Sequence, residues 1–130
     1  MQGRGKMWWT GFAMSTLVVL FLFVDAGMKL AAVQPVLDAG QQIGFPGVDM
    51  ARKLGVTLLI CTLLYVWPRT TVLGALLLTA YLGGTVATHV RLGNPLFTHV
   101  LFGVYLAVLL WGGLLLREPR LRALIFPVNA

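Results

Sequence analysis

A chain of 130 residues that is 58% apolar and only 11% charged falls far short of the roughly 25% charged residues with which soluble domains make a wettable surface. Its mean hydropathy of +0.87 and its 15 glycines suit close helix contacts in lipid and exclude a secreted disulfide scaffold, a zinc module and a nucleic-acid domain. The formal charge of +6 does not reverse this, because the basic residues flank apolar runs as membrane anchors do.

The first apolar run covers residues 8–33 and is interrupted only by Asp25 and Lys29. At about 1.5 Å per residue it exceeds a perpendicular crossing, so it should tilt or project. It is also too long for a signal peptide and lacks a small-residue cleavage site. Gln34 and Pro35 end it. A polar connection follows, with turns at Gly40, Gly44, Pro46 and Gly47 and room for a short interfacial helix over residues 35–43. The second helix covers about residues 50–67. Its strictly apolar part begins only at Leu54, so Arg52 and Lys53 should snorkel, and Pro68 stops it. Residues 70–90 form the third helix. After the turn Leu92-Gly93-Asn94-Pro95, residues 96–116 form the fourth, which Arg117, Glu118 and Pro119 end. Short connections between these segments predict an all-α, up-down-up-down four-helix transmembrane bundle, one domain over residues 1–130, with both termini on one side.

That topology sorts the charges. Arg4, Lys6, Arg69, Arg117, Arg120 and Arg122 fall on the terminal side, while Lys29, Arg52, Lys53 and Arg91 fall on the other with Asp25, Asp38 and Asp49. The bias places both termini in the cytoplasm. Trp8, Trp9, Trp67 and Trp111 fall toward the same side, as an interfacial aromatic belt does. Cys61 is the single cysteine, so neither an intrachain disulfide nor a paired-thiol redox site is available.

Chemistry is expected in the half away from the termini. Asp25, Lys29, Arg52, Lys53, His89, Arg91 and His99 converge there, and no comparable cluster is expected at the terminal end. Ionisable groups within a span are costly and point to function. Asp25 and Lys29 share a helix face at i, i+4 in the favourable acid-first order, either as part of a site or as a structural ion pair. Tyr81, Thr85 and His89 form a polar stripe at i, i+4, i+8 on helix three. Ala80, Gly84 and Thr88 form a small-residue stripe beside it, expected to pack on a neighbouring helix and leave the polar stripe inside. His89 is suited to act as acid, base or hydrogen-bond donor near neutral pH; its other reading is an imidazole satisfied in the interior. Two histidines without further ligands at recognisable spacing define neither a metal nor a haem site. Arg91 sits opposite His89 on a helical wheel and joins the same pocket only if the helix bends near Gly93 and Pro95. Its alternative partner is a lipid phosphate.

Several stretches resemble the DoxX-like family of small bacterial membrane proteins. They are Trp67-Pro68-Arg69-Thr70-Thr71-Val72-Leu73-Gly74-Ala75, the run Ala80-Tyr81-Leu82-Gly83-Gly84-Thr85-Val86-Ala87-Thr88-His89-Val90-Arg91, then Pro95-Leu96-Phe97 and Trp111-Gly112-Gly113-Leu114. Gly27, Lys29 and Leu30, and Gly44, Phe45 and Pro46, continue the likeness over nearly the whole chain. The resemblance implies a four-helix integral protein of the bacterial cytoplasmic (inner) membrane, with the family motif falling on Lys29, Tyr81, Gly83, Gly84, His89 and Arg91. The family takes its name from a subunit of a quinone-reducing thiosulfate oxidoreductase.

This chain carries no flavin, haem, metal or paired-cysteine signature of its own. The leading expectation is therefore an accessory or small-molecule-binding subunit of a membrane oxidoreductase system. A quinone-like or other amphipathic ligand would be held by Lys29, Tyr81, Thr85, His89 and Arg91, with any redox cofactor on a membrane or soluble partner. A second expectation is a stand-alone acid–base enzyme, an isomerase, cyclase or hydrolase acting on a lipophilic substrate, with Asp25 and His89 as catalytic candidates. A third is a structural subunit that associates with itself or a membrane partner through Gly83, Gly84 and Gly112-Gly113.

Overall fold

The computed structural model describes residues 5–127; the anchor expected at Arg4 lies outside the described residues. Six α-helices follow one another: α1 (Lys6–Ala31), α2 (Gln34–Ile43), α3 (Val48–Val66), α4 (Thr71–Arg91), α5 (Phe102–Arg117) and α6 (Pro119–Ile125), with a single π-helical turn, Leu96–Val100, ahead of α5. Among the described residues there is no strand.

Each boundary has a local cause. α1 stops before Gln34 and Pro35 because Ala32 turns left-handed at φ 53° and its N–H caps the carbonyls of Met28 and Lys29. Pro35 then sits in the first turn of α2, where its missing N–H is no loss. A short helix does form in the connection, and it ends at Gly44, whose φ of 86° is the left-handed turn that glycine adopts freely. The fourth long segment does not begin as an ordinary helix. The N–H groups of Val100 and Leu101 reach back five residues to the carbonyls of Pro95 and Leu96, the wide-turn pattern of a π-helix.

Three stretches, Lys6–Ala31, Thr71–Arg91 and Leu96–Arg117, are long and apolar enough to cross a membrane. α3 differs. It has 19 residues, and every membrane-length stretch of it includes Asp49, Arg52 and Lys53. Its apolar part is correspondingly short, and Arg52 turns back to donate to the Leu30 carbonyl at 3.2 Å.

The long helices nevertheless form a closed ring, in which α1 packs on α3 and α5, and α4 packs on the same two. α1 and α4 thus face each other across the diagonal. Opposite ends meet along the ring. A Cβ on Gly11, near the start of α1, would come within 2.6 Å of the Gly113 carbonyl near the end of α5. Val18, Leu22, Leu58, Leu78 and Leu110 fill the centre, each at most 1% exposed. Leu17, Leu20, Val24, Leu76 and Val108 point outward and are exposed, an apolar outer surface that water would disfavour and lipid accepts. Threonines in the ring satisfy themselves locally: Thr62 donates to the Leu58 carbonyl and Thr79 to that of Ala75, both at 2.7 Å. Where the surroundings offer no water, such bonds back along the helix remove an unpaired hydroxyl.

Candidate functional site

Between α1 and α4, in the half away from the termini, lies a cavity of about 470 Å³. α1 contributes Phe21, Leu22, Asp25 and Lys29; α4 contributes Ala80, Tyr81, Gly84, Thr85, Thr88 and His89. α5 supplies Phe102, Gly103 and Leu106, α3 supplies Leu54, and Ile43 and Phe45 close in from the end of α2 and the loop after it. A smaller cavity of about 270 Å³ beneath α2 shares Asp25, Lys29, Ile43, Phe45 and Leu54 with it.

The polar groups on this wall have definite partners. Lys29 Nζ donates to Asp25 Oδ1 at 2.6 Å, with both side chains half-buried. The one-turn spacing that joins them also cancels most of their charge locally. Thr85 donates to the Tyr81 carbonyl at 3.2 Å. His89 Nδ1 lies 2.7 Å from Asn94 Nδ2, and an amide nitrogen only donates. The neutral His89 ring therefore carries its proton on Nε2. That nitrogen is the ring's donor for an incoming oxygen atom.

Asp25, Lys29, Tyr81, Thr85 and His89 thus meet on one cavity, while Arg91 and His99 do not line it. Arg91 is exposed and donates through Nη2 to the Ile43 carbonyl at 3.3 Å, tying the end of α2 to the end of α4. α4 stays helical through Arg91, so the bend that would have brought this side chain beside His89 does not occur. His99 stands edge-on to His89 with ring centroids 5.5 Å apart, and its Nδ1 lies 2.8 Å from the Thr98 hydroxyl. Among the described residues no three His, Cys, Asp or Glu side chains stand close enough together to hold a metal ion.

Two expectations need correction. The stripe Ala80, Gly84 and Thr88 does not pack on a neighbouring helix: a Cβ on Gly83 or Gly84 would meet nothing within 4 Å, and all three stripe residues line the cavity beside the polar stripe. Close approaches occur instead at Gly11, Gly55, Gly74, Gly103 and Gly113, where backbones cross around the ring, so Gly113 is occupied within the chain. The terminal end, expected to carry only anchors, holds a buried polar chain. Arg117 Nη2 donates to Ser15 Oγ at 3.1 Å, Ser15 lies 2.8 Å from the Tyr65 hydroxyl, and Tyr65 donates to the Leu110 carbonyl at 3.0 Å. A hydroxyl one-third of the way along α1, matched in depth to the ends of α3 and α5, was the available signal. The aromatic walls Phe21, Phe45 and Phe102 were not among the expected site residues, although an aromatic between Gly44 and Pro46 in a polar loop is a hint that the loop is tucked in.

Apolar helices of membrane length around a cavity with a few convergent polar groups define a helical integral membrane protein. The chain belongs to the DoxX-like family, whose sequence model matches residues 13–113. No curated protein and no solved structure matches it.

Proposed function

We propose that this protein is a small-molecule-binding subunit of a bacterial inner-membrane oxidoreductase system, and that the cavity between α1 and α4 holds a quinone-like amphipathic ligand. All four long helices would cross the membrane up-down-up-down as one domain, with both termini in the cytoplasm. The carrying observation is the meeting of Lys29, Tyr81, Thr85 and His89 on one apolar-walled cavity of about 470 Å³, a volume within the usual range for small-molecule sites. Support for the topology comes from the ring of α1, α3, α4 and α5, in which α3 is too well buried at Leu58, Thr62 and Tyr65 to lie on the membrane surface.

In this role His89 Nε2–H donates to a ligand carbonyl oxygen. Lys29 offers the ammonium N–H groups that Asp25 leaves unused, and Asp25 fixes the position of that ammonium. Phe21 and Phe102, with ring centroids 5.4 Å apart, provide flat apolar surface for a ring to rest against. Electrons would be delivered by a redox cofactor on the partner. Asp25 is engaged with Lys29, an arrangement better suited to positioning than to shuttling protons.

The test is equilibrium binding of a short-chain benzoquinone analogue to the full chain in lipid nanodiscs. Loss of one hydrogen bond in a dry site should weaken affinity roughly tenfold in His89→Ala. Arg91→Gln, outside the cavity, should stay within about twofold of the parent on the same reasoning. Parent-like affinity in both His89→Ala and Thr85→Val would exclude this cavity as the quinone site.

A further inference from the structure

The terminal end of the bundle contains a second, larger cavity of about 560 Å³, lined by Ser15 and Thr16 of α1, Tyr65 of α3, Thr71 of α4, and Arg117 and Arg120 around the α5–α6 junction. Its other walls are apolar, with Val19, Leu20, Val72 and Leu114 among them, and Leu20 and Val72 are also exposed on the outer surface of the bundle. It shares no residue with the cavity between α1 and α4.

Arg117 is the unusual member. Its guanidinium reaches inward to Ser15, and the hydrogen-bond chain beyond runs away from it through Ser15 and Tyr65 to the Leu110 carbonyl. Every acceptor along that chain is neutral. Arg117 Nε is buried with no hydrogen-bond partner among the described residues. The one acidic group lining the cavity, Glu118, is exposed. Among the described residues the one ion pair is Lys29–Asp25, at the far end of the molecule. A guanidinium withdrawn from water normally has a carboxylate or phosphate against its fork, since an unpaired buried charge and an unused buried donor are both costly. Arg117 instead lines a cavity, with a second cation, Arg120, and the hydroxyls of Thr16 and Thr71 on the same wall.

We infer that this cavity binds the phosphate headgroup of an anionic phospholipid, with Arg117 and Arg120 on the phosphate and one acyl chain along Val19, Leu20, Val72 and Leu114. Arg117 closes a stretch long and apolar enough to cross a membrane, Leu96–Arg117, and in a bilayer such a span would put this end of the bundle near the headgroups. A cavity that combines two cations and several hydroxyls with apolar walls matches both the headgroup and an acyl chain of a lipid. A free anion would use only the cations and hydroxyls.

The test is native mass spectrometry of the full chain in detergent, with phosphatidylglycerol or phosphatidylcholine added in equal amounts. One phosphatidylglycerol should be retained per chain at several-fold higher occupancy than phosphatidylcholine, and Arg117→Gln should reduce that occupancy about tenfold. Val72→Trp fills the apolar part while leaving the bonds among Arg117, Ser15 and Tyr65 untouched, and it should also abolish retention, so the proposal does not depend on Arg117→Gln folding well. Arg91→Gln, at the opposite end, should leave retention unchanged. Equal retention of the two lipids, or retention unaffected by both cavity variants, overturns the site. Displacement of phosphatidylglycerol by millimolar inorganic phosphate would overturn the lipid assignment and leave a free-anion site.

Discussion

At residue scale, the pair Asp25 and Lys29 matters most because neither charge is fully in water and each relies on the other at 2.6 Å. Lys29→Met leaves a half-buried carboxylate without its partner, a loss expected to destabilise the bundle by about 1–3 kcal/mol. Adding Asp25→Leu should recover most of that, because an apolar pair of similar volume removes the unpaired charge. Unfolding in mixed micelles measures both, and equal stability of Lys29→Met and the parent would show that the carboxylate is solvated. This pair was legible in the sequence because i, i+4 spacing on a helix is short-range geometry. The partner of His89 was not, since Asn94 lies beyond the end of α4 and reaches back only through the particular turn at Gly93, whose φ is 69°. Nor was the position of Arg91, which depends on where the separate helix α2 ends and offers its Ile43 carbonyl.

At the scale of elements, glycines divide into those that hold the ring together and those that do not. A Cβ on Gly74 would run into the backbone of Leu64 and Tyr65, where α4 folds back on α3 after the Pro68 turn. Gly74→Ala should therefore destabilise by roughly 1–3 kcal/mol through overpacking. Gly83 lies in the same helix with open space around it, so Gly83→Ala should be neutral or stabilising by up to about 1 kcal/mol from helix propensity alone. The two variants, compared in one unfolding assay, separate packing from propensity; equal effects would mean that α4 does not approach α3 as described. The sequence shows both glycines alike, because contact across a helix pair is settled by the rotation of each helix about its axis. The π-helical turn at Leu96–Val100 is similar in kind. Pro95 and the polar turn before it were visible, yet the wider turn was not, and just after it Gly103 sits close against the Leu82 carbonyl and Val86, a contact between helices.

At the scale of the whole molecule, the number of crossings decides which face each cavity serves. Three stretches are apolar enough to cross by composition, and an odd count would put the termini on opposite sides. The proposed four crossings rest on the ring. Withdrawing α3 from the membrane would expose Leu58 and Thr62, which are fully buried against its neighbours, and although its 19 residues rise about 28 Å, the apolar part from Leu54 supplies only about 20 Å of that, short of the hydrocarbon thickness unless the bilayer thins or charged side chains snorkel. Arg52 and Lys53 then stand at one boundary, where long cationic side chains reach the headgroups while their stems stay in the apolar region. Single cysteines introduced on a Cys61→Ser background test this with a membrane-impermeant thiol reagent on right-side-out vesicles. Lys6→Cys and Leu124→Cys, both at exposed positions, should react only after the vesicles are opened, and Gln42→Cys in α2, also exposed, should react without opening. With that result the cavity holding Lys29 and His89 belongs to the outer leaflet and the Arg117 cavity to the inner one, where anionic lipids attract cationic pockets most strongly. Labelling of Lys6→Cys and Leu124→Cys from opposite sides would reduce the crossings to an odd number, and α3 would then have to be a helix that enters the bundle without passing through the membrane.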